Sequence, residues 1–240
     1  RGTYSSCGGW RGVALVSANG GTLRPCQSRT DARYPYIERI DAFALGARGL
    51  TLDTDGFDVV VTQDFANVSG ADGLFRKTGA GTLDLRFASY DVARTLVDAG
   101  TLKLGAAGAA TLATTLCLTN DAALSLVGPA TGLTLDGLEL AGGTLALDPG
   151  DTVTVTGAAR IDRLVLALSA APDAGATNTL FVFRTPLDAA SQTALRRAFC
   201  TTALADGHHA QFVYEAETGA LKMSVAKNAE PLGAADTTTW

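Results

Sequence analysis

Apolar and polar positions alternate in short runs along most of this chain. Leu83, Leu85 and Phe87 are separated by Asp84 and Arg86, and Leu102 and Leu104 flank Lys103. Leu133 and Leu135 flank Thr134, and Leu145 and Leu147 flank Ala146. A period of two is the signature of a strand with one apolar face. A glycine stands before most of these runs. Gly-Thr-Leu occurs at 21–23, 81–83, 100–102 and 143–145, Gly-Leu-Thr-Leu-Asp at 49–53 and 132–136, and 219–223 is a looser copy. Such a glycine marks a turn that needs an unusual backbone angle or a close backbone approach. Repetition every few tens of residues points to stacked units, none of which buries its own apolar face.

The pattern predicts strands near 50–53, 57–61, 82–87, 95–97, 101–104, 111–118, 122–127, 133–135, 138–140, 144–147, 152–156, 163–168, 179–183, 211–214 and 221–225. It predicts one helix over about 186–204. Thr185 is the expected N-cap, Pro186 the first helical residue and Asp188 an acid in the first turn. Leu195 and Phe199 then share a face, and Gly207 lies beyond the end. A helix across a solenoid end covers a sheet edge. Residues 1–48 read differently. They hold Cys7, Trp10, Cys26, Tyr34, Tyr36 and arginines at 24, 29, 33 and 39, as an irregular lead-in or the end of a preceding domain.

Composition narrows the function classes. The 240 residues carry 24 acidic and 19 basic side chains, a formal charge of −5, which disfavours a nucleic-acid partner. No uninterrupted apolar stretch is long enough to cross a membrane as a helix. Only 2 His are present, so metal and acid–base chemistry have few of their usual residues, and no cofactor is expected. The 4 Cys contain no CxxC pair. No basic-then-apolar signal segment opens the sequence.

From Gly73 to Leu85 the chain reads Gly-Leu-Phe-Arg-Lys-Thr-Gly-Ala-Gly-Thr-Leu-Asp-Leu, and from Thr95 to Gly105 it reads Thr-Leu-Val-Asp-Ala-Gly-Thr-Leu-Lys-Leu-Gly. These segments resemble the autotransporter-associated β-strand repeat, also called the passenger-associated transport repeat. That family typically reads GGLxKTGAGTLTL, a Tyr-containing turn, then TxVxAGTLxLG. Residues 49–59 resemble the segment that commonly precedes it. The likeness is close over 49–105 and one of style over 110–225. Its usual Asn-Thr-Tyr-Thr-Gly turn is replaced here by Ala88-Ser89-Tyr90-Asp91-Val92. The resemblance implies a parallel β-helix in the exported part of a bacterial surface protein, associated with passage across the outer membrane and bringing no catalytic residues. An outer-membrane barrel is not expected within this chain, whose aromatic content is 7%.

Several residues are candidates for chemistry. Asp53, Asp55 and Asp58 resemble the opening of a calcium loop, but position 12 would be Asp64 and flanking helices are not predicted, so an Asp-Gly turn is the plainer reading. Asp148-Pro149-Gly150-Asp151 reads as a turn. His208 and His209 follow Asp206-Gly207 with no nucleophile elbow, so they read as residues beyond a helix end. Asp84, Arg86 and Lys103 would share one outward face if their strands stack, as solvated charges or as the rim of a glycan groove. Trp10, Tyr34 and Tyr36 suit a satellite core or a sugar platform. Asn67-Val68-Ser69 fits the glycosylation pattern. In an exported protein Cys7 and Cys26 are expected to pair, while Cys117 in a strand and Cys200 in the helix are expected as buried thiols.

These readings combine into one expectation: an all-β, right-handed parallel β-helix (β-solenoid) over 49–226, with 1–48 leading in, one short helix and a tail at 227–240. Leu52, Leu83, Leu85, Leu102, Leu104, Leu135 and Leu145 should face inward. The expected role is a non-catalytic spacer, stalk or export-assisting segment of a secreted or surface-exposed protein. Its partners would be other domains of the same longer protein, and surface glycans. A carbohydrate-binding or adhesive module, or an accessory part of a glycan-degrading enzyme, is the alternative.

Overall fold

The computed structural model of the chain describes residues 12–105, 108–128 and 130–228. The alternating runs become strands that wind into stacked parallel coils, a β-solenoid of about six turns. The first described coil holds β1 (Leu15–Ala18), β2 (Thr22–Leu23) and β3 (Ile37–Glu38). Next come β4 (Ala42–Leu45), β5 (Leu50–Asp53) and β6 (Val59–Thr62), then β7 (Phe65–Asn67), β8 (Leu74–Thr78) and β9 (Thr82–Leu85). β10 (Tyr90–Leu104), β11 (Gly108–Ser125) and β12 (Ala130–Leu147) each run through a whole coil, with register shifts along the way. β13 (Thr152–Val155), β14 (Ala159–Leu168), β15 (Thr177–Phe183), α1 (Ala189–Arg196), β16 (Phe199–Cys200), β17 (His208–Glu215) and β18 (Ala220–Lys227) follow.

Parallel pairing sorts these strands into three walls. The first wall runs β1, β4, β7, the start of β10, β11 and β12, then β13 and β15. The second runs β2, β5, β8, the middle of β10, β11 and β12, and the start of β14. The third runs β3, β6, β9, the ends of β10, β11, β12 and β14, then β16. Because strand register is kept from coil to coil, like positions form columns. On the third wall Val59, Leu83, Leu102, Leu124, Leu145 and Leu166 stack in register. All seven leucines expected to face inward are buried, none more than 5% exposed. Full burial of one such side chain contributes about 1.5–3 kcal/mol.

The glycine before each strand has a physical reason. Gly100 has φ +69°, and a Cβ there would lie 2.5 Å from the Gly81 carbonyl oxygen of the coil before. A Cβ on Gly81 would lie 2.8 Å from the Phe57 nitrogen and closer still to its carbonyl. Neighbouring backbones at this corner touch, so only glycine fits.

Three expectations need correction. Stacking does not start at 49: β1, β2 and β3 already pair in parallel with β4, β5 and β6. Their two- to four-residue strands are too short to show a period. Nor is the solenoid parallel to residue 226, since β18 runs antiparallel to both β15 and β17. The helix is shorter than 186–204. Asp188 is its N-cap, its side chain accepting from the Ser191 N–H at 2.7 Å, so Thr185 and Pro186 lie outside it. Phe199 and Cys200 form β16, paired with Val165 and Leu166, so Cys200 is not helical. Cys7, Trp10 and residues 229–240 lie outside the described residues.

The helix and the antiparallel hairpin cover the last coil. α1 takes the place of the next strand on the second wall, packing on β14, with Ser191 and Leu195 buried. Ser191 Oγ accepts the Ile161 N–H at 3.0 Å, doing what a strand carbonyl would do. On the third wall the Leu168 N–H donates to Thr202 Oγ1 at 2.6 Å. Edge groups that would otherwise template another chain are thereby satisfied.

Candidate functional site

The most unusual side chain of the solenoid is Lys77, which lies inside it. Lys77 stands two residues after buried Phe75 on β8 and occupies an inward column with Leu52 before it and Val97, Leu118, Leu140 and Ile161 after it. Its side chain is 0% exposed. Four oxygens meet its Nζ: Gly79 O at 2.7 Å, Thr78 O at 2.9 Å, Ala99 O at 3.0 Å and Thr54 Oγ1 at 3.0 Å. These acceptors come from three successive coils. Burial pushes the Lys77 ammonium down to about 8, against the pull of the Asp53 and Asp58 carboxylates. Thr54, also 0% exposed, donates its hydroxyl to Thr78 O at 3.1 Å. A satisfied buried charge of this kind holds one geometry; it is shut away from any reactant.

Asp53, Asp55 and Asp58 surround this corner but do not converge. Asp53 accepts from the Asp55 N–H at 3.0 Å and pairs with Arg24 at 2.5 Å. Backbone and Arg24 hydrogen bonds hold its carboxyl below the usual range although burial opposes them. Asp55 and Gly56 have φ +50° and +84°, a tight turn at the coil corner. Asp58 accepts from the Thr82 N–H at 2.7 Å, bracing the next coil. Among the described residues no cluster of three or more His, Cys, Asp or Glu is placed to hold a metal ion.

Asp84, Arg86 and Lys103 are brought together in part. Asp84 and Lys103 are register partners, and Arg86 Nη2 lies 3.0 Å from Asp84 Oδ2. Asp84 Oδ1 is buried without a hydrogen-bond partner, pressed against Gly105. Lys103 serves a different corner, where its charge helps hold the Asp148 carboxyl below its ordinary value; hydrogen bonds from Ser169 and Gly128 are the larger causes. Asp151 is buried, its carboxyl pushed upward by that burial, and it accepts the Asp148 N–H at 2.9 Å. The 148–151 segment is thus a turn tied to the coils on either side.

His208 and His209 lie in β17, opposite Lys227 and Ala226, rather than in a loop after the helix. Successive strand residues point to opposite faces. His208 Nδ1 is 3.0 Å from Asp206 O, and His209 Nδ1 is 2.8 Å from Asn228 Oδ1. They do not form a joint site. Tyr36 packs on the core and Tyr34 is exposed. Asn67 accepts the Gly73 and Ala93 N–H groups at 2.9 and 3.0 Å, so its amide is a brace between coils. Cys26 is exposed and bears no disulfide to a described residue.

Sequence reasoning missed two groupings. Lys77 carried one signal, its two-residue spacing from Phe75. Cys117, Glu139 and Arg94 come from neighbouring coils: Cys117 Sγ donates to Glu139 Oε2 at 3.1 Å, and Arg94 pairs with the same oxygen at 2.9 Å. Burial, then the Glu139 carboxylate, pushes the Cys117 thiol up to about 11, which makes it a poor nucleophile. An interior void lined by Leu118, Leu135 and Phe181 among others measures only about 10 Å³.

No helix of the described residues is long and apolar enough to cross a membrane. No family model matches the chain, and no curated protein or solved structure matches it.

Proposed function

We propose that this chain is a non-catalytic structural domain, a short rigid spacer that presents or helps export other domains of the same longer protein at a bacterial surface. One observation carries this reading: polar groups at the coil corners and in the interior, several of them candidates for chemistry by sequence, are spent on joining coil to coil. Lys77, Asn67, Asp58 and Asp148 each hydrogen-bond to a neighbouring coil, and the thiol of Cys117 is buried and protonated. An enzyme needs groups with tuned pKa values converging on a reactant. Here the strongly shifted groups face the interior or each other. The resemblance of 49–105 to the autotransporter-associated repeat supports a secreted or surface location.

Two measurements test the proposal. The isolated chain should turn over none of a broad panel of polysaccharides and model esters. Turnover abolished by His208→Ala or His209→Ala would sink the non-catalytic reading. In a bacterial surface display assay, a reporter fused to the chain should reach the surface in larger amount than the same reporter fused to a flexible linker of equal length. Equal amounts would overturn the presentation role.

A further inference from the structure

We propose that the free edge of β17 pairs antiparallel with β17 of a second copy of this chain, joining two solenoids end to end about a two-fold axis at Phe212. The inference goes beyond the spacer reading and rests on how the three walls end. The second wall ends in α1 and the third in β16, and the Ser191 and Thr202 hydroxyls take up edge N–H groups of β14. The first wall ends differently. It continues past β15 through β18 to β17, both added antiparallel. β17 therefore lies two strand spacings, about 10 Å, beyond the coil that carries β15, α1 and β16. Among the described residues it is the outermost strand at this end.

Its outer edge is unpaired and unprotected. The Asn228 N–H donates to Gly207 O at 2.6 Å, and these two residues continue the β17–β18 register. Odd-numbered residues of β17 thus turn their backbone groups to β18, and even-numbered ones turn theirs away. Among the described residues no strand pairs with the outward N–H and C=O groups of Ala210, Phe212 and Tyr214, whereas the His208 N–H is already given to Ala205 O at 3.0 Å. β17 pairs with β18 over its whole length without a bulge, and it holds no Pro or Lys to block a further strand. An edge of this kind takes up another strand through main-chain hydrogen bonds. At the opposite end β1, β2 and β3 are too short to offer the same.

The occupant is a second copy because β17 is complementary to itself. Its half-buried face carries Ala210, Phe212 and Tyr214, all packed on the core, so a continuous face requires even residues opposite even residues. A two-fold axis at Phe212 sets Phe212 on Phe212 of the second copy and Ala210 on its Tyr214. In this register the free N–H and C=O groups of Ala210, Phe212 and Tyr214 meet one another, and the occupied His208 N–H is left out. An axis at Gln211 would set Tyr214 on His208, whose N–H is taken. On the inner face Phe212 gains an aromatic partner and Tyr214 lies beside a small side chain. On the outer face Gln211 meets Val213, which is 54% exposed, and His209 meets the Glu215 carboxylate that Lys222 holds at 2.7 Å. No like charges stand opposite one another. The contact is one strand wide, so the dimer is weak and depends on concentration.

The experiment follows the full chain by sedimentation velocity from micromolar to millimolar concentration, where a monomer–dimer equilibrium is expected. Hydrogen exchange read by NMR should show the N–H groups of Ala210, Phe212 and Tyr214 protected at the high end of the series and open at the low end. Those of Gln211 and Val213, which face β18, should be protected throughout. Ala210→Pro removes an outward N–H and should abolish the dimer. Gln211→Lys combined with Val213→Lys sets lysines opposite one another twice and should weaken it about tenfold, with the β18 ladder untouched. Leu15→Ser, on the exposed first coil, should leave it unchanged. Thermal melts confirm that each variant is folded. A chain that stays monomeric over the whole range overturns the proposal, and so does a dimer that survives both β17 variants or is lost with Leu15→Ser. Protection of the three N–H groups that does not change with concentration also overturns it, since another segment of the same chain would then hold the edge.

Discussion

Lys77 Nζ donates to the carbonyl oxygen of Ala99 at 3.0 Å, joining one coil to the corner of the next from inside the core. An ammonium there replaces an apolar side chain in a column otherwise made of Leu, Val and Ile. It is tolerated because carbonyls that turn inward at the corner replace its water.

The sign of its pH effect follows. An unfolded chain holds the Lys77 proton up to about 10.5, the folded chain up to about 8. Below pH 8 both forms are protonated and the contribution is flat. Between 8 and 10.5 the unfolded chain binds more protons, so this group makes folding more favourable as pH rises, by about 3 kcal/mol in all. Lys77→Met should lower stability at pH 7 by about 2–5 kcal/mol, because Gly79, Thr78 and Ala99 lose a buried donor. Urea unfolding of both proteins from pH 7 to 10.5 should show the gap between them widening with pH; a gap that narrows contradicts the assignment.

Glycine at the corner is equally specific. Gly100→Ala must accept φ +69° and push against the Gly81 carbonyl, so a loss of roughly 2–5 kcal/mol is expected. Gly56 has open space around its Cβ position, and its alanine variant carries only the strain of φ +84°. Thermal melts of the pair should rank Gly100→Ala as the more damaging. The reverse order would mean that backbone angle, and not coil contact, selects these glycines.

Ser191→Ala removes the acceptor of the buried Ile161 N–H. A loss of about 1–3 kcal/mol is expected, with hydrogen exchange accelerated at Ile161 before it is accelerated at Leu140 on the coil beneath. Unchanged exchange at Ile161 would show that the helix is not what closes this edge.

Cys117 should resist alkylation at pH 8 in the native protein and react fully in denaturant, because burial and Glu139 keep its thiol protonated to about 11. Glu139→Gln removes one cause of the rise and should speed native labelling, read by mass spectrometry. A native rate equal to that of a free thiol would place Cys117 in solvent.

Strand identity and the inward face were legible in the residues themselves. Leu83, Leu85, Leu102, Leu104 and Leu145 sit at a spacing of two behind a glycine, and a pleated strand has only two faces, so local pattern suffices to bury them. Repetition of that pattern then demands stacking, since no coil encloses a core alone. What the local pattern lacked was decided by partners distant in sequence. β1 to β3 are too short to show a period and are strands because a coil 24–29 residues later pairs with them. Phe199 continues the helical spacing of Leu195, yet pairs with Val165, 34 residues earlier, because the third wall offers it a strand edge. Charge alone would place Lys77 in water. It lies inside because Thr54, 23 residues before it, and Ala99, 22 residues after it, bring oxygens to the one corner its ammonium reaches. The shallow groove beside α1 likewise exists only after stacking, when Arg163 from a strand and Arg197 from the helix end come to line the same space. Sequence sets what each short run prefers, and the register between coils decides which of its polar groups face one another.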